Sequence, residues 1–178
     1  MVKFFITLFL TANSIFTMDS INEVPTRYAD FLGGRVTLLR DTFSFQIHVE
    51  RLYQNYSGPI YMFIDADGDT STGWSNTGYI SEDEFPLSGA DLLLLFDKFN
   101  PAHSTLYSLQ SDGSMTPLSY IPCGRILTTP TRTKIYGKVG GIKGRSIHLQ
   151  LFINEEGNWG DLFPNRGTII LHDSKENH

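Results

Sequence analysis

Apolar and polar residues alternate with a period of two along much of the chain. Between Phe43 and Glu50, apolar side chains at odd positions alternate with polar ones, and 146–154 repeats the pattern. This period predicts half-buried β-strands. By contrast, 60–64 and 92–96 are apolar almost throughout, which is typical of central strands covered on both faces. No helical period of useful length occurs, so the sequence predicts an all-β protein.

Turn-forming residues separate these segments, and Asp112-Gly113 in particular predicts a hairpin. Short strands at such intervals predict an antiparallel β-sandwich of about nine strands, with jelly-roll or immunoglobulin-like layers. The remaining segments, at 15–34, 71–86, 122–130 and 155–164, are predicted to be irregular or loops. The nine predicted strands are 35–40, 43–50, 60–64, 92–96, 104–109, 115–121, 131–139, 146–154 and 168–172.

Composition narrows the class of protein. The 178 residues are 40% hydrophobic and 19% charged, which predicts one ordinary globular domain. The formal net charge of -5 argues against a nucleic-acid partner, because binding phosphate needs a basic face. Cys123 is the only cysteine, so no intrachain disulfide can form; we interpret it as a small core or loop residue.

The N-terminus has the three parts of a secretory signal peptide: a basic start at Lys3, the apolar run 4–10, and small residues at Ala12 and Ser14. The run is too short to span a membrane, which needs about 20 apolar residues. We therefore predict a signal peptide at 1–17, a domain at 18–178 ending in a polar tail, and an extracellular or periplasmic location. The alternative is that this run forms the first strand of the domain.

The candidate metal ligands directly follow the predicted strand 60–64. Asp65, Asp67 and Asp69 follow it at alternate positions, with Gly68 and Gly73 allowing the backbone to curl. Like charges this close repel one another unless a cation or hydrogen-bond donors neutralise them. Oxygen ligands alone suit a hard ion such as calcium better than zinc or copper. A bound calcium would also give rigidity to a domain without disulfides.

Two other interpretations compete with a calcium site. An EF-hand loop begins with the same spacing but needs glycine at its sixth position and glutamate at its twelfth. Thr70 and Asn76 occupy those positions, and a strand rather than a helix precedes the loop, which excludes an EF-hand. A solvated acidic turn, in which Asp and Gly simply favour a bend, stays open.

Aromatic residues in predicted loops are candidates for ligand binding. Flat aromatic faces stack on the apolar faces of sugar rings, and neighbouring polar groups can bind the hydroxyls. The alternative is that each ring caps an end of the core. The four candidates are Trp74, Tyr79, Trp159 and Phe163.

The sequence gives little support to catalysis or haem binding. The carboxylates outside the aspartate loop fall in charge runs at 82–84 and 155–156, which are typical of solvated loops rather than a glycosidase pair. No Ser-His-Asp order or nucleophile elbow is present. Met62 and His148 could be proposed as haem ligands, but Met62 more simply packs inside a strand. We therefore predict a protein that is not an enzyme.

The order of these motifs resembles the β-sandwich domains of family 9 carbohydrate-binding modules and, more loosely, DOMON-like domains. The resemblance rests on the hairpin 36–49, the Ile64-to-Trp74 loop, Gly89-Ala-Asp91, Tyr107-Ser-Leu109, and Asp161 with Pro164 before the last strand. It implies that the loop and the Gly-Ala-Asp carboxylate meet at a structural calcium. That assigns Asp65, Asp67 and Asp91, with Asp69 or a carbonyl near Ser71 as an additional ligand.

Together these patterns predict a secreted, calcium-stabilised module without catalytic machinery whose ligand is a polysaccharide or other glycan. The alternative function is a secreted structural or interaction domain whose partner is a protein.

Overall fold

The computed structural model describes residues 14–18, 31–39, 41–49, 60–75, 88–96, 104–119, 124–128, 133–142, 146–155, 158–163 and 169–172. These residues form twelve strands and contain no helix. The strands are β1 (Ser14–Met18), β2 (Phe31–Leu39), β3 (Thr42–Val49), β4 (Ile60–Asp65), β5 (Leu92–Phe96), β6 (Ser104–Leu109), β7 (Met115–Ser119), β8 (Gly124–Thr128), β9 (Thr133–Val139), β10 (Ser146–Glu155), β11 (Asn158–Phe163) and β12 (Ile169–His172).

The strands form two antiparallel sheets. One has five strands in the order β1-β2-β3-β9-β8. The other has seven, in the order β11-β10-β4-β5-β6-β7, with β12 also pairing with β10. This all-β, antiparallel arrangement confirms the predicted fold class at that level and is consistent with a β-sandwich.

A single core contains buried side chains of both sheets. In β3 every second residue is buried, from Phe43 to Val49, as the period-two pattern predicts. Met62 and Ile64 of β4 belong to the same buried cluster. The rings of Phe45 in β3 and Phe96 in β5 meet edge to face, with centroids 5.9 Å apart. Contact between aromatic side chains of the two sheets fixes which face of each sheet is buried.

The seven-stranded sheet has a second apolar cluster on its other face. Phe63 lies between Met62 and Ile64 in β4, so its side chain projects away from the first core. There it joins Ala90, Leu93 and Leu109, all buried. Three half-buried aromatic side chains pack against this group, which we call the outer cluster: Tyr61, Trp74 and Tyr107.

All nine predicted strands are present within a few residues of their predicted bounds. The predicted count of about nine was too low, because β8 and β11 lie in segments predicted to be irregular or loops. β1 is the third additional strand and pairs with β2 from Ser14↔Thr37 to Met18↔Gly33. It overlaps the segment predicted to be a signal peptide, which stays a prediction. No helix in the described part of the chain is long and apolar enough to cross a membrane.

Candidate metal centre

Two carboxylates meet at one end of the seven-stranded sheet, where β4 ends and β5 begins. The register pairs Ile64 with Leu92, and the Asp91 N–H donates to the Ile64 carbonyl at 2.9 Å. Asp65, the last residue of β4, and Asp91, the residue before β5, therefore lie at the same end of neighbouring strands. Like charges this close repel one another unless a cation or hydrogen-bond donors neutralise them.

The loop after β4 brings a third carboxylate to the same place. Oxygens of Asp65, Asp67 and Asp91 all lie within 4.8 Å of one another. Asp65 is fully buried, Asp91 is half-buried and Asp67 is exposed. The three residues, which we call the aspartate cluster, form a group open to solvent on the Asp67 side. Such a group could hold a metal ion.

Hydrogen bonds from the backbone orient two of the three carboxylates. Asp65 Oδ1 accepts from the Gly68 N–H at 2.8 Å, which closes the first bend of the loop. Asp91 Oδ2 accepts from the Ala66 N–H at 2.9 Å and so ties β5 to the loop that follows β4. These bonds involve backbone groups that any residue provides, so the aspartates, not their donors, define the site.

The charge balance at Asp91 is unfavourable without a cation. Burial raises the pKa of its carboxyl above the ordinary value, and the negative charges of Asp67 and Asp69 raise that pKa further. The Ala66 N–H opposes this shift. A raised carboxyl pKa means that the folded protein disfavours the ionised form. A bound cation would reverse that preference.

Thr72 orients the exposed member of the cluster. Its hydroxyl lies 3.1 Å from Asp67 Oδ2 and also donates to the Asp69 carbonyl at 2.9 Å. Asp67 Oδ1 accepts from the Asp69 N–H at 2.8 Å. The loop therefore holds the Asp67 carboxylate from two sides.

Asp69 was predicted as a ligand, but the structure does not bring it into the cluster. Its Oδ1 accepts from both the hydroxyl and the N–H of Ser71, at 2.6 and 2.9 Å. These two bonds lower the pKa of the Asp69 carboxyl. Asp69 thus has its own local donors, and it stays a predicted ligand that the geometry does not place with the other three.

Glycines allow the loop to pack directly on the Gly89-Ala-Asp segment. A Cβ on Gly89 would lie 2.6 Å from Thr70 Cα, and one on Gly73 would lie 2.6 Å from the Ala90 carbonyl oxygen. Both glycines have positive φ, 76° and 65°. Trp74 and Ala90 exchange two backbone hydrogen bonds of 2.8 Å beside this contact. The Gly-Ala-Asp motif therefore contributes in two ways: its backbone packs directly against the aspartate loop, and Asp91 supplies a carboxylate to the cluster.

The predicted ligand-binding aromatics have different positions. Trp74 belongs to the outer cluster, where its ring stacks on Phe63 with centroids 5.2 Å apart and planes 24° apart. Trp159 and Phe163 lie in β11 rather than in the predicted loop, and their side chains are outside the described residues. Tyr79 also lies outside the described residues. Of the four, only Trp74 has a described side chain, and it lies next to the aspartate cluster in the chain.

Sequence reasoning missed two positions beside the cluster. Thr72 could have been found from its place three residues after Asp69, a spacing typical of hydroxyl-capped turns. His148 of β10 is the register partner of Asp65. Because β4 and β10 are far apart in the sequence, no local pattern could have predicted that pairing.

Comparison with models of protein families, with curated proteins and with solved structures found no match for this chain. The chemical argument therefore depends on the site alone.

Proposed function

We propose that this chain is a secreted, non-catalytic β-sandwich module that binds Ca²⁺ at the aspartate cluster and uses the ion to stabilise its fold. One observation carries the proposal: three carboxylates from two separate segments converge within 4.8 Å at the end of a sheet. The jelly-roll or immunoglobulin-like layering expected from the sequence belongs to the same proposal.

The donor set favours calcium over other ions. Carboxylate oxygens are hard ligands, and Ca²⁺ accepts six to eight of them in flexible geometry. Mg²⁺ demands a near-ideal octahedron, and Zn²⁺ prefers nitrogen or sulfur ligands. A site made of one buried strand residue, one residue just before a strand and one loop residue suits the less demanding ion. Backbone carbonyls or water would supply the remaining oxygens.

A calcium-dependent melt tests this function. After removal of metal with EDTA, calcium at about a hundred times its dissociation constant should add about 2.7 kcal/mol of stability. For a chain of this size, that should raise the melting temperature by roughly 5–10 °C. Magnesium at the same concentration should raise it less. An unchanged melting temperature in calcium would overturn the proposal.

For the ligand, we propose a carbohydrate. The supporting observation is that Trp74, half-buried beside the cluster, is held by stacking on Phe63 and by the bridge to Ala90. A ring held rigidly on an ordered loop can stack on a sugar at low entropic cost. A protein partner at the same surface is the alternative.

Affinity electrophoresis in gels containing neutral polysaccharides tests the carbohydrate ligand. The wild-type chain should be retarded, and Trp74→Ala should migrate freely. Leu127→Ala removes an exposed side chain of β8, in the other sheet, and should leave retardation unchanged. Free migration of the wild-type chain in every gel would count against a carbohydrate and favour a protein partner.

A further inference from the structure

The five-stranded sheet carries an unusual distribution of charge on its outer face. In β3 the buried residues alternate with Ser44, Gln46 and His48, which therefore project away from the core. The neighbouring strands β2 and β9 alternate in the same way. Their outward side chains include three cations and no carboxylate among the described residues: Arg35, Thr37, Leu39, Lys134, Tyr136 and Lys138.

This local charge is opposite to that of the chain. Acidic residues outnumber basic ones by 19 to 14 over the whole sequence, yet every charged side chain described on this face is basic. Asp41 is close by, but it lies in the turn between β2 and β3, at the end of the sheet. We call the outward lysines Lys134 and Lys138 the basic face.

The register arranges the basic face in rows. Arg35 pairs with Gln46, which pairs with Tyr136. Ser44 and Lys138 form the row on one side, and His48 and Lys134 form the row on the other. Lys134 and Lys138 are four residues apart on one strand, a separation of about 13 Å between their backbones. Hydroxyl and amide side chains lie between the cations.

We propose that the basic face binds a linear polysaccharide that carries carboxylate or sulfate groups. In this proposal the cations form ion pairs with the anionic groups of the glycan, and the intervening Ser44 and Gln46 form hydrogen bonds with its hydroxyls. The proposal rests on the carbohydrate ligand proposed above but not on the calcium site. It names an acidic glycan as the ligand class and a surface separate from Trp74.

One feature favours a polysaccharide over a nucleic acid. Single-stranded nucleic acid needs aromatic faces on which bases stack. The outward aromatic described on β9 is Tyr136, and the Lys134 ammonium lies over its ring, 5.6 Å from the centroid.

The net negative charge of the chain does not prevent this binding. At physiological ionic strength the Debye length is about 8 Å, so charges elsewhere on the molecule are largely screened from a ligand on this face. The local cations then determine the sign of the interaction.

The full chain in calcium should bind dextran sulfate and carboxymethyl-dextran by titration calorimetry, and should bind unmodified dextran far more weakly. Affinity for the anionic glycans should fall as sodium chloride rises. The double variant Lys134→Gln/Lys138→Gln should lose about tenfold or more in affinity, because two charge-assisted contacts are removed. The charge-conserving Lys134→Arg/Lys138→Arg should keep most of it.

A matched control separates this surface from overall charge. Lys138→Gln and Thr116→Glu each lower the net charge by one unit, but Thr116 is exposed on β7 of the other sheet. Equal weakening by both variants would overturn the proposal, as would equal binding of neutral dextran by the Trp74→Ala variant or tighter binding of single-stranded DNA or anionic vesicles. Trp74→Ala should not weaken binding of the anionic glycans. Failure of the wild-type chain to bind any neutral polysaccharide would refute the role of Trp74 and leave the basic face intact.

Discussion

The turn at Asp112 and the loop after Asp65 are built from the same residue types. They differ in whether nearby hydrogen-bond donors compensate the negative charge of their carboxylates. In the hairpin between β6 and β7, Asp112 accepts from the Ser114 N–H at 2.9 Å, and Gly113 has a φ of 81°. The bonds from Ser114 lower the pKa of that carboxyl. The loop after Asp65 also combines aspartate, glycine and serine. There, however, the cluster includes Asp91, whose carboxyl pKa is raised.

The difference is one of topology rather than composition. The Asp112 turn has one carboxylate, and a residue two positions on supplies its donors. The aspartate cluster collects charges from two segments, because the end of β4 and the start of β5 lie side by side in the sheet. Asp69 shows that both arrangements coexist in one loop, because it is satisfied by Ser71 in the same way that Asp112 is satisfied by Ser114. A single acidic turn supplies its own hydrogen-bond donors, whereas the converging carboxylates leave negative charge that a cation could neutralise.

The largest effect should come from Gly89→Ala. Its new Cβ would lie 2.6 Å from Thr70 Cα, in a backbone conformation that L residues rarely adopt. Strain and overpacking together should cost about 3 kcal/mol of unfolding free energy. Urea denaturation with metal removed would measure this cost.

Two other glycines serve as controls for that variant. Gly113 and Gly141 have φ of 81° and 76°, but an added Cβ would meet the Trp74 ring only at 3.5 Å in the first case and nothing within 4 Å in the second. Gly113→Ala and Gly141→Ala should therefore cost only about 1 kcal/mol each. Equal costs at all three positions would show that the close contact with Thr70 does not matter.

The second effect is that Asp91→Asn should change the melting temperature in opposite directions with and without calcium. In calcium, Asp91→Asn should lose the metal-dependent rise of roughly 5–10 °C in melting temperature. In EDTA the same variant should melt higher than wild type, because one of the repelling charges is gone while the amide oxygen can still accept from Ala66. Thermal melts in both conditions would measure the reversal.

Asp69→Asn is the matched control, since it removes an equal charge from the same loop. It should keep the calcium response, because Asp69 lies outside the cluster. If Asp69→Asn abolished the response as fully as Asp91→Asn, the loop would have to rearrange around the ion, and the ligand set predicted from the sequence would be correct.

The smallest effect is on the pH dependence of the metal-free protein. The pKa of Asp91 is raised above 3.8 on folding, so the ionised group destabilises the fold at neutral pH and that penalty is relieved as pH falls through its folded value. The pKa of Asp112 is lowered, so its stabilising contribution is present above its unfolded value and is lost in acid. In EDTA at neutral pH, Asp91→Asn should thus melt above wild type and Asp112→Asn slightly below it.

Both differences in melting temperature should shrink as the pH is lowered from neutral through the acid range. Melts across that range would measure them. Differences of the same sign for the two variants would contradict the distinction between the two turns.

Strand positions could be predicted from the sequence where side chains alternate or are apolar throughout, as in β3, β4 and β5. β8 and β11 could not, because their own patterns are weak and their pairing with β9 and β10 defines them. β11 contains Gly160 and Asp161, residues typical of turns, and its register with β10 includes an irregularity.

The part of the candidate site that depends on local sequence could be predicted, and the part that depends on strand pairing could not. Asp65 and Asp67 follow an apolar strand, which marks them locally. Alternation failed at Asp69 because the chain bends after β4, so positions two apart no longer share a face. The proximity of Asp65 and Asp91 depends on the pairing of β4 with β5, and in the sequence only the resemblance to carbohydrate-binding modules suggested it.

The short span between the two halves of the aspartate cluster has a consequence for the kinetics of folding. Ala66 and Asp91, which are hydrogen-bonded at the site, are 25 residues apart, whereas β4 must wait for the distant β10 to complete its other edge. Closing a short loop costs less entropy than closing a long one, and long-range pairing slows folding. If calcium binds the aspartate cluster as proposed, it would join β4 and β5 before β10 docks, and it should then accelerate refolding as well as slow unfolding.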